Sequence, residues 1–417
     1  MTVGETNTDS DYDIVIVGGG MVGISLALLL NSWAQKPKGQ KPWKILLVEA
    51  QPINSAQGAG YSPSFDARST ALSWSSRKIY QSIGVWPELE AQLSAIAQIH
   101  VSDRSHMGLT RIDAKEAGVE ALGYVVENRW LGSVLLNQLS ATNIEVRDAV
   151  CINSIKPLAR GMQLSIGQQV TNARLVVIAD GAGSSTAQKL GIQTQRTDYG
   201  QTGIIANIGL QKPHAGVAYE RFTDQGPMAL LPLSNFDGRP RSALVWTQPN
   251  DEAESLMSAD DQSFLDQLQQ RFGHRLGRFQ QVGDRISYPL ALTTSSEQVR
   301  RNLVVMGNAA HSLHPVAGQG FNLSLRDAAT LATCLSEVTS NQLGDLETLQ
   351  QYQHKQSVDQ RNTLIFSDRL PKLFGLSSSV AALGRNSGLV AMDLIPALRG
   401  GFARFGMGMA TREASYK

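Results

Sequence analysis

The chain has 417 residues, of which 42% are hydrophobic and 18% are charged, and its 37 Lys and Arg nearly balance its 36 Asp and Glu. A chain of this length and apolar content folds into two or three domains or one large composite, which excludes disordered, collagen-like and coiled-coil proteins. The formal net charge of +1 gives no electrostatic reason to expect nucleic-acid binding.

The sequence carries no pattern typical of export or of a membrane span. The N-terminal stretch is acidic and polar where a signal peptide would be basic and then apolar, and no apolar run approaches about 18–20 residues. Cys151 and Cys334 form no CxxC pair and cannot build a disulfide framework, which favours a reducing compartment. We therefore expect a cytoplasmic protein that is soluble or attached to a membrane only at its surface.

The first fifty residues predict a βαβ unit. Ile14–Val17 is a β-branched run, as in strands that are buried on both faces of a parallel sheet. Met21–Trp33 follows as an apolar helix, and Lys44–Val48 is predicted as the second strand. Two later β-type runs, Arg174–Ala179 and Leu303–Met306, are predicted to return to the same sheet.

The turn between the first strand and the first helix is typical of a dinucleotide site. Gly18, Gly20 and Gly23 form G-x-G-x-x-G, in which glycine permits a tight turn, a close approach of a pyrophosphate and close packing of helix on strand. The helix N-terminus offers unpaired N–H groups to the phosphates. Glu49 ends the second strand, where its carboxylate can accept hydrogen bonds from ribose hydroxyls. A purely structural βα turn is the alternative.

The middle of the chain predicts an antiparallel sheet, because short alternating segments are separated by Gly, Pro, Asn and Asp. Ser69–Ile83 is predicted as one amphipathic helix that ends at Gly84, and the chain after about Leu346 is predicted to be helical. The clearest strands of the antiparallel sheet are Ile204–Leu210, Val217–Phe222, Met228–Leu233 and Ala243–Thr247.

A second glycine-rich loop favours a flavin over a nicotinamide as the bound dinucleotide. Gly307–Asn322 reads GNAAHSLHPVAGQGFN directly after a predicted strand, and Gly318, Gln319 and Gly320 begin a helix. A helix N-terminus stabilises negative charge, and a reduced flavin develops such charge at its N1–C2=O edge, far from the phosphates. An ordinary loop that needs positive φ at two glycines is the alternative.

These motifs resemble the three fingerprints of the class A FAD-dependent aromatic hydroxylases. The fingerprints are the Gly18–Gly23 loop with Glu49, the pair Asp180–Gly181 after a buried strand, and Gly307–Asn322. The similarity extends from Asp13 to about Leu398 and is greatest to the ubiquinone-biosynthesis branch, in particular to the bacterial 2-polyprenyl-6-methoxyphenol hydroxylases. The branch is indicated by Phe65–Leu72 (FDARSTAL), Ile99–Arg104 (IHVSDR), Glu220–Gly226 (ERFTDQG), Tyr288–Leu290 (YPL) and Arg385–Pro396.

The resemblance implies an α/β (α+β) fold like that of para-hydroxybenzoate hydroxylase. In that fold a Rossmann-like FAD-binding domain is interleaved with an antiparallel-sheet substrate domain and followed by a helical C-terminal region. The expected segments are 1–96, 111–199 and 291–345 for the FAD-binding domain, 97–110 and 200–290 for the substrate domain, and 346–417 for the helical region.

The resemblance also implies an FAD-dependent monooxygenase that hydroxylates the aromatic ring of a polyprenylated phenol in ubiquinone biosynthesis. NAD(P)H and O2 would be co-substrates, and a flavin C4a-hydroperoxide would donate the oxygen. Two alternatives stay open: hydroxylation at another ring position or of a soluble aromatic, and a non-catalytic flavin-binding subunit of a quinone-synthesis complex. The membrane surface and other ubiquinone-biosynthesis proteins are the expected partners.

The resemblance assigns site residues position by position. Gly18, Gly20, Gly23 and Glu49 would hold the adenosine end of FAD. Arg68 would contact the FAD phosphates or the nicotinamide donor, and Asn128 would lie near the pyrophosphate. Those expected nearer the flavin ring and its sugar–phosphate chain are Asp180, Gly181, Gly307, Asn308, Phe321 and Asn322, with Pro315, Gly318, Gln319 and Gly320 at the catalytic end.

Several of these residues have simpler interpretations. Arg68 could be a solvated cation at a helix start, Asn128 a helix cap and Asp180 a turn residue before Gly181. His311 and His314 have poor spacing for zinc, so we expect them to support the loop by hydrogen bonding, and we predict no metal site.

Two positions depart from the family pattern. Asn308 replaces the usual Asp of the third fingerprint, although its amide can still bond to a sugar hydroxyl. Ala187 replaces the usual Arg of the second fingerprint, which leaves the contribution of that segment to NAD(P)H binding open.

The C-terminal tail, Leu389–Met409, is a candidate for membrane docking because apolar and basic residues are mixed in it. Packing of the same tail on the core of the protein is the alternative. The candidate anchors are Leu394, Leu398, Phe402 and Phe405, with Arg399 and Arg404 for the headgroups.

Overall fold

A computed structural model of the chain describes residues 10–33, 42–53, 68–103, 109–315, 318–375 and 395–409. Its strands are β1 (Tyr12–Val17), β2 (Ile45–Val48), β3 (Ser69–Ser73), β4 (Ser94–Ile96), β5 (Gln98–Asp103), β6 (Leu109–Asp113), β7 (Gly123–Glu127), β8 (Glu145–Arg147), β9 (Ile152–Pro157), β10 (Met162–Ile166), β11 (Gln169–Ile178), β12 (Thr194–Leu210), β13 (Val217–Thr223), β14 (Gly226–Phe236), β15 (Arg239–Pro249), β16 (Phe279–Val282), β17 (Ile286–Ser295), β18 (Val299–Arg300), β19 (Leu303–Val305) and β20 (His311–Ser312). Its helices are α1 (Met21–Trp33), α2 (Trp74–Ser82), α3 (Trp86–Leu89), α4 (Asn128–Ser140), α5 (Ser185–Lys189), α6 (Asn250–Ser258), α7 (Asp261–Phe272), α8 (Gln319–Ser336), α9 (Leu346–Gly375) and α10 (Pro396–Gly406).

The first sheet has a parallel centre in the order β19-β11-β1-β2-β8. Its strands come from distant parts of the chain, and Ile14 of β1 pairs with Leu175 on one side and Ile45 on the other. Both faces are covered, as the continuous apolar runs predict: α1, α4 and α8 pack on one face, and β9, β10 and α5 pack on the other. The predicted βαβ unit and the two returning strands are therefore confirmed.

The second sheet is antiparallel at its centre and has the order β20-β17-β12-β15-β14-β13-β5-β6, with β16 beside β12. All four predicted strands of this sheet are present, at β12 to β15. Two helices within this region, α6 and α7, were not predicted, and they bury the outer face of the sheet against Ile204, Met228 and Trp246. The sheet joins the first domain at β20, where Ser312 pairs with Thr293.

The predicted single helix over Ser69–Ile83 is wrong in its first third. Ser69–Ser73 forms β3, which pairs with β7 so that Ser69 lies opposite Glu127. The helix begins only at Trp74, where Ser73 is the N-cap and its side chain accepts a hydrogen bond from the amide of Ser76. Pairing with a distant strand overrides the local helical pattern here, since ladder partners are not visible within a short window of sequence.

The helices at the C-terminus pack on the protein. The rings of Phe402 and Phe405 in α10 lie 5.8 and 4.6 Å from the ring of Phe366 in α9, and Arg399 forms a 3.0 Å ion pair with Glu116. The alternative of core packing therefore describes α10, while 389–394 of the tail lies outside the described residues. Within the described ranges, no helix combines the length and the apolar character that a membrane span requires.

Candidate flavin site

The predicted fingerprints meet at one edge of the parallel sheet. Gly18, Glu49, Asp180 and Gly307 each follow a strand of that sheet at its carboxyl end: β1, β2, β11 and β19. Backbone hydrogen bonds continue the ladder into this edge, from the amide of Gly18 to the carbonyl of Val48 at 2.8 Å, for example. Open α/β sheets bind ligands outside the carboxyl ends of their strands, so the topology brings the motifs to the expected place.

The Gly18–Gly23 turn has room only for glycine at its first and third positions. Gly18 has φ +110°, and a Cβ there would lie 2.4 Å from the carbonyl oxygen of Ala179. A Cβ on Gly23 would lie 1.9 Å from the carbonyl oxygen of Gly18. These contacts draw the start of α1 against the strand ends, and so direct the free N–H groups of the helix at the edge of the sheet.

Glu49 is fixed against this turn by backbone donors. The amide of Gly19 donates to its Oε2 at 2.6 Å, and the amide of Gln51 donates to its Oε1 at 2.9 Å. Each carboxylate oxygen retains a lone pair beyond these bonds, so the group can still accept ribose hydroxyls. The carboxylate is thus held at the turn in an orientation set by the backbone.

Asp180 lies directly beside the first glycine. A Cβ on Gly18 would come within 2.8 Å of the Asp180 Cα. One carboxylate oxygen of Asp180, Oδ2, accepts a long 3.4 Å bond from the amide of Thr186, whereas Oδ1 is buried and has no partner among the described residues. A buried acceptor without a partner is costly, and a hydroxyl of a bound dinucleotide would satisfy it. Gly181 follows with φ +92°.

The residue that replaces the usual Arg of the second fingerprint has a packing role. Ala187 is buried in α5 against the parallel sheet, and its amide donates to the hydroxyl of Ser184 at 3.0 Å. An arginine head group would not fit in that apolar contact without movement of the helix. This segment therefore contributes packing here rather than a cation.

The third fingerprint begins against the first. Gly307 has φ +64°, and a Cβ there would lie 3.3 Å from the side chain of Val22 in the first turn of α1. The next residue, Asn308, is exposed, and its amide is free to bind a ligand. The helix α8, which begins at Gln319, packs against α1 and against the turn at Gly307–Ala309.

Asn322 uses its whole side chain within the protein. Its Oδ1 accepts from the amide of Ser73 at 2.8 Å and from the hydroxyl of Ser76 at 2.7 Å. Its Nδ2 donates to the carbonyls of Ala71 and Gly318, both at 2.8 Å. The side chain therefore joins the start of α8 to β3 and α2, and any contact of this residue with FAD falls to its backbone.

The loop before α8 is arranged around its glycines. The amide of Gly318 donates to the carbonyl of Pro315 at 3.0 Å, and Gly318 has φ +59°. Gln319 donates to the carbonyl of Gly406 in α10 at 3.2 Å, and Phe321 packs against the core beneath. A Cβ on Gly320 would meet nothing within 4 Å. Gly320 therefore borders open space.

Arg68 and Asn128 lie together at the end of the β3–β7 pair. The amide of Asn128 donates to the carbonyl of Arg68 at 2.7 Å, and its Oδ1 accepts from the hydroxyl of Thr70 at 2.6 Å. Asn128 is the first residue of α4 and Glu127 is the cap, so the alternative that Asn128 caps this helix is wrong. Arg68 lies close enough to Tyr288 to oppose the effect of burial on the pKa of that phenol.

The two histidines of the loop support its structure. His311 bonds through Nε2 to Oδ2 of Asp327 at 2.7 Å, and both side chains are fully buried. The other oxygen of Asp327 accepts from Gln356 and Gln360 of α9. Burial lowers the pKa of His314 to about 4, so it is neutral at physiological pH. No group of three or more His, Cys, Asp or Glu in the described part of the chain could hold a metal ion.

At the inner face of the antiparallel sheet, opposite α6 and α7, we infer a cavity from the exposure of the side chains. Its central residues keep exposed surface, although the outer-face residues beside them are buried. We define this inner face by Ile205, Glu220, Ala229, Val245 and Tyr288, which cross-strand pairing places in two adjacent rows. It is apolar except for one carboxyl and one phenol.

Sequence reasoning did not select Glu220 or Tyr288 as site residues, although both lie in stretches that resemble the ubiquinone branch. The ring of Tyr288 lies over Gly203, where a Cβ would come within 3.1 Å of its Cζ. Burial raises the pKa of Tyr288 to about 12, so the phenol stays protonated. The sequence signal that could have identified Glu220 is an acid at an inward position of a strand whose other inward residues are apolar.

The residues present fit FAD. Gly18 and Gly23 leave no space for a side chain, the carboxylate of Glu49 is fixed beside the turn, and Asp180 has a buried oxygen without a partner among the described residues. The β17–β20 pair joins the strand that carries Tyr288 to the third fingerprint, which leads to the start of α8. An elongated dinucleotide can thus lie along the sheet edge with its ring end near the cavity.

Comparison with known proteins agrees with this geometry. The model of the FAD binding domain family matches residues 11–364, so the chain belongs to this family. It is 33% identical to the ubiquinone hydroxylase UbiL of Rhodospirillum rubrum, over 96% of this chain and 91% of that protein. It is 28% identical to the human mitochondrial ubiquinone biosynthesis monooxygenase COQ6, over 94% of this chain and 92% of that protein.

Solved structures show the same fold at lower identity. The p-nitrophenol 4-monooxygenase PnpA of Pseudomonas putida superposes with a TM-score of 0.76 at 16% identity, covering 96% of this chain and 98% of that one. The probable FAD-dependent monooxygenase pqsL of Pseudomonas aeruginosa gives 0.73 at 20% identity, covering 91% and 99%. The predicted fold class, family resemblance and FAD cofactor are confirmed, whereas the individual site residues stay predictions.

Reversing the charge of Glu49 tests the adenosine end of the site. In Glu49→Arg, FAD should bind roughly ten- to a hundredfold more weakly, because a charge-assisted hydrogen bond to the ribose is lost and a cation faces the positive end of α1. Titration of apoprotein with FAD measures this. The exposed Glu347 supplies the matched control Glu347→Arg, and equal affinities in the two variants would remove Glu49 from the site.

Filling the space beside Gly320 tests the ring end. Gly320→Val should leave the melting temperature of the apoprotein nearly unchanged, since no protein atom is close, but should lower FAD affinity and turnover. Gly401→Val in α10 is the control, because a Cβ there also meets nothing within 4 Å. Wild-type flavin affinity and turnover in Gly320→Val would show that the loop does not face the cofactor.

Proposed function

We propose that the protein is an FAD-dependent monooxygenase that uses NAD(P)H and O2 to hydroxylate the aromatic ring of a polyprenylated phenol in ubiquinone biosynthesis. The observation that carries the proposal is the apolar and partly exposed inner face of the antiparallel sheet, which the β17–β20 pair joins to the third fingerprint. The names of the relatives UbiL and COQ6 support the same pathway.

In this reaction the bound flavin supplies electrons from NAD(P)H and an activated oxygen, and the protein supplies position and a dry pocket. The fixed turn at Gly18–Gly23 and the carboxylate of Glu49 hold the adenosine end, which sets the ring end at the cavity. A phenol ring is already electron-rich, so no strong base on the protein is needed to activate its carbon atoms. The side chains of Ile205, Ala229 and Val245 bind the ring and exclude water.

Turnover by purified holoprotein tests the proposal. Wild-type protein should consume NAD(P)H and 18O2 in the presence of a short-chain prenylphenol and release a product with one labelled hydroxyl, detected by mass spectrometry. Ile205→Trp should fill the cavity and lower kcat/KM about tenfold or more while FAD content is retained. Val170→Trp on the exposed part of β11 is the control.

A different outcome would identify an alternative function. Hydroxylation of soluble aromatics alone would exclude the prenylated substrate, and bound FAD without any product would indicate a non-catalytic flavin subunit. The precursor that accumulates after gene deletion, identified by mass spectrometry, determines the ring position.

We further propose that the protein works at the inner face of the cytoplasmic membrane, because a polyprenylated phenol resides in a bilayer. Support comes from α9, where exposed residues at helical spacing form one stripe of apolar and basic side chains, of which Lys372 is paired with Asp368 of the same helix at 2.6 Å. This α9 stripe consists of Val358, Arg361, Ile365, Arg369 and Lys372. Val358 is 47% and Ile365 is 42% exposed, which is unusual for side chains of this size.

Vesicle binding tests the α9 stripe. Neutralising two cations in Arg361→Gln/Arg369→Gln should weaken binding to phosphatidylglycerol vesicles roughly thirtyfold, at about 1 kcal/mol per charge, and leave FAD content intact. The double variant Val358→Ser/Ile365→Ser should also weaken vesicle binding. The control Val170→Ser, on the other side of the parallel sheet, should leave vesicle binding unchanged. Unchanged sedimentation with vesicles in all variants would place the membrane contact elsewhere.

A further inference from the structure

Glu220 occupies the middle of the inner face. Its strand neighbours Tyr219 and Arg221 point to the outer face, where Tyr219 contacts the ring of Phe272 and Arg221 donates to the carbonyl of Phe272. Because side chains alternate along a strand, Glu220 points the opposite way. On that inner side Ala218 packs with residues of α10 and Phe222 packs with Leu370 of α9.

The surroundings of this carboxyl are apolar. Direct cross-strand partners of Glu220 are Val101 and Ala229, and the same row continues through Val245 and Ile205. Glu220 forms no hydrogen bond or ion pair with any described residue. Its surface is only half-buried although it lies deep in the protein, which places it on the wall of the cavity.

An acid in such a place needs a partner that the fold does not provide. Burial raises the pKa of Glu220 to about 8, so the group is mostly a neutral carboxylic acid at pH 7 and can donate as well as accept a hydrogen bond. Leaving it without a partner is costly, and an apolar residue of similar size would pack in the same row without that cost. The cavity in front of it is where a ligand would supply the missing bond.

We propose that Glu220 hydrogen-bonds to the ring hydroxyl of the phenolic substrate and thereby selects hydroxylated rings over purely hydrocarbon ones. This inference rests on the proposed function. A phenol O–H both donates and accepts, as does the Glu220 carboxyl, so the pair can satisfy each other in the otherwise apolar cavity. Rejection of the analogue without a hydroxyl follows because binding it would leave the carboxyl desolvated and unpaired.

Binding of two matched ligands to oxidised holoenzyme, without NAD(P)H, tests this contact. The ligands are a short-chain prenylphenol and the same molecule with hydrogen in place of the hydroxyl, and quenching of flavin fluorescence reports the Kd of each. Wild-type protein should prefer the phenol roughly tenfold or more. In Glu220→Leu this preference should disappear, while the affinity for the analogue stays equal or rises.

Val245→Ala, in the same row, is the control, because it should weaken both ligands alike and retain the preference. Retention of the preference in Glu220→Leu, or its absence in the wild type, would overturn the proposal. Failure of the proposed function is seen separately, as a wild-type holoenzyme that releases no hydroxylated product.

A second measurement does not depend on the folding of the leucine variant. The infrared difference spectrum of phenol binding should show a shifted carbonyl stretch of a protonated carboxylic acid. This band should be absent in the nearly isosteric Glu220→Gln and present in Glu254→Gln, which changes an exposed acid of α6. A band that survives in Glu220→Gln would reject the contact.

Discussion

The close approach of Gly18 to the chain at Ala179 and Asp180 is the constraint on which the rest of the site depends. It brings the ends of β1 and β11 together without side chains between them, and it leaves a groove along the edge of the sheet. Gly23 then draws α1 into the same edge, and Gly307 places the third fingerprint against Val22. Residues separated by almost 300 positions in the sequence thus form one surface, because several of their backbones are in direct contact.

The second sheet is linked to this edge by a short strand pairing, in addition to the packing of β14 on β4 and β7. Two residue pairs join β17, the strand that carries Tyr288, to β20 in the third fingerprint. The helices α9 and α10 lie on the same side of β13 as Glu220, since each packs on a residue that flanks it. Several strands and helices therefore surround the inferred cavity. The chemistry proposed for the cavity requires that these elements keep their spacing.

The sequence was most informative where a residue type is imposed by backbone geometry. Glycines at fixed spacing, a terminal acid and runs of β-branched residues predicted the parallel sheet and its ligand edge. It was least informative where long-range pairing decides. At β3 the helical pattern is overridden by pairing with β7, and the inward direction of Glu220 depends on the pairing of β13 with β5 and β14. Asn322 shows a third limit, because its motif position predicts a cofactor contact while its side chain is fully used by β3 and α2.

The position of α10 has a consequence for the order of biosynthesis. Gln319 of the flavin loop donates to the carbonyl of Gly406, and the amide of Ser75 donates to the carbonyl of Met407. Translation reaches these two carbonyls some 90 residues after Gln319 and some 330 after Ser75. The loop at the start of α8 therefore lacks one of its hydrogen-bonding partners while the chain is still emerging from the ribosome. The complete hydrogen bonding of this loop therefore requires α10.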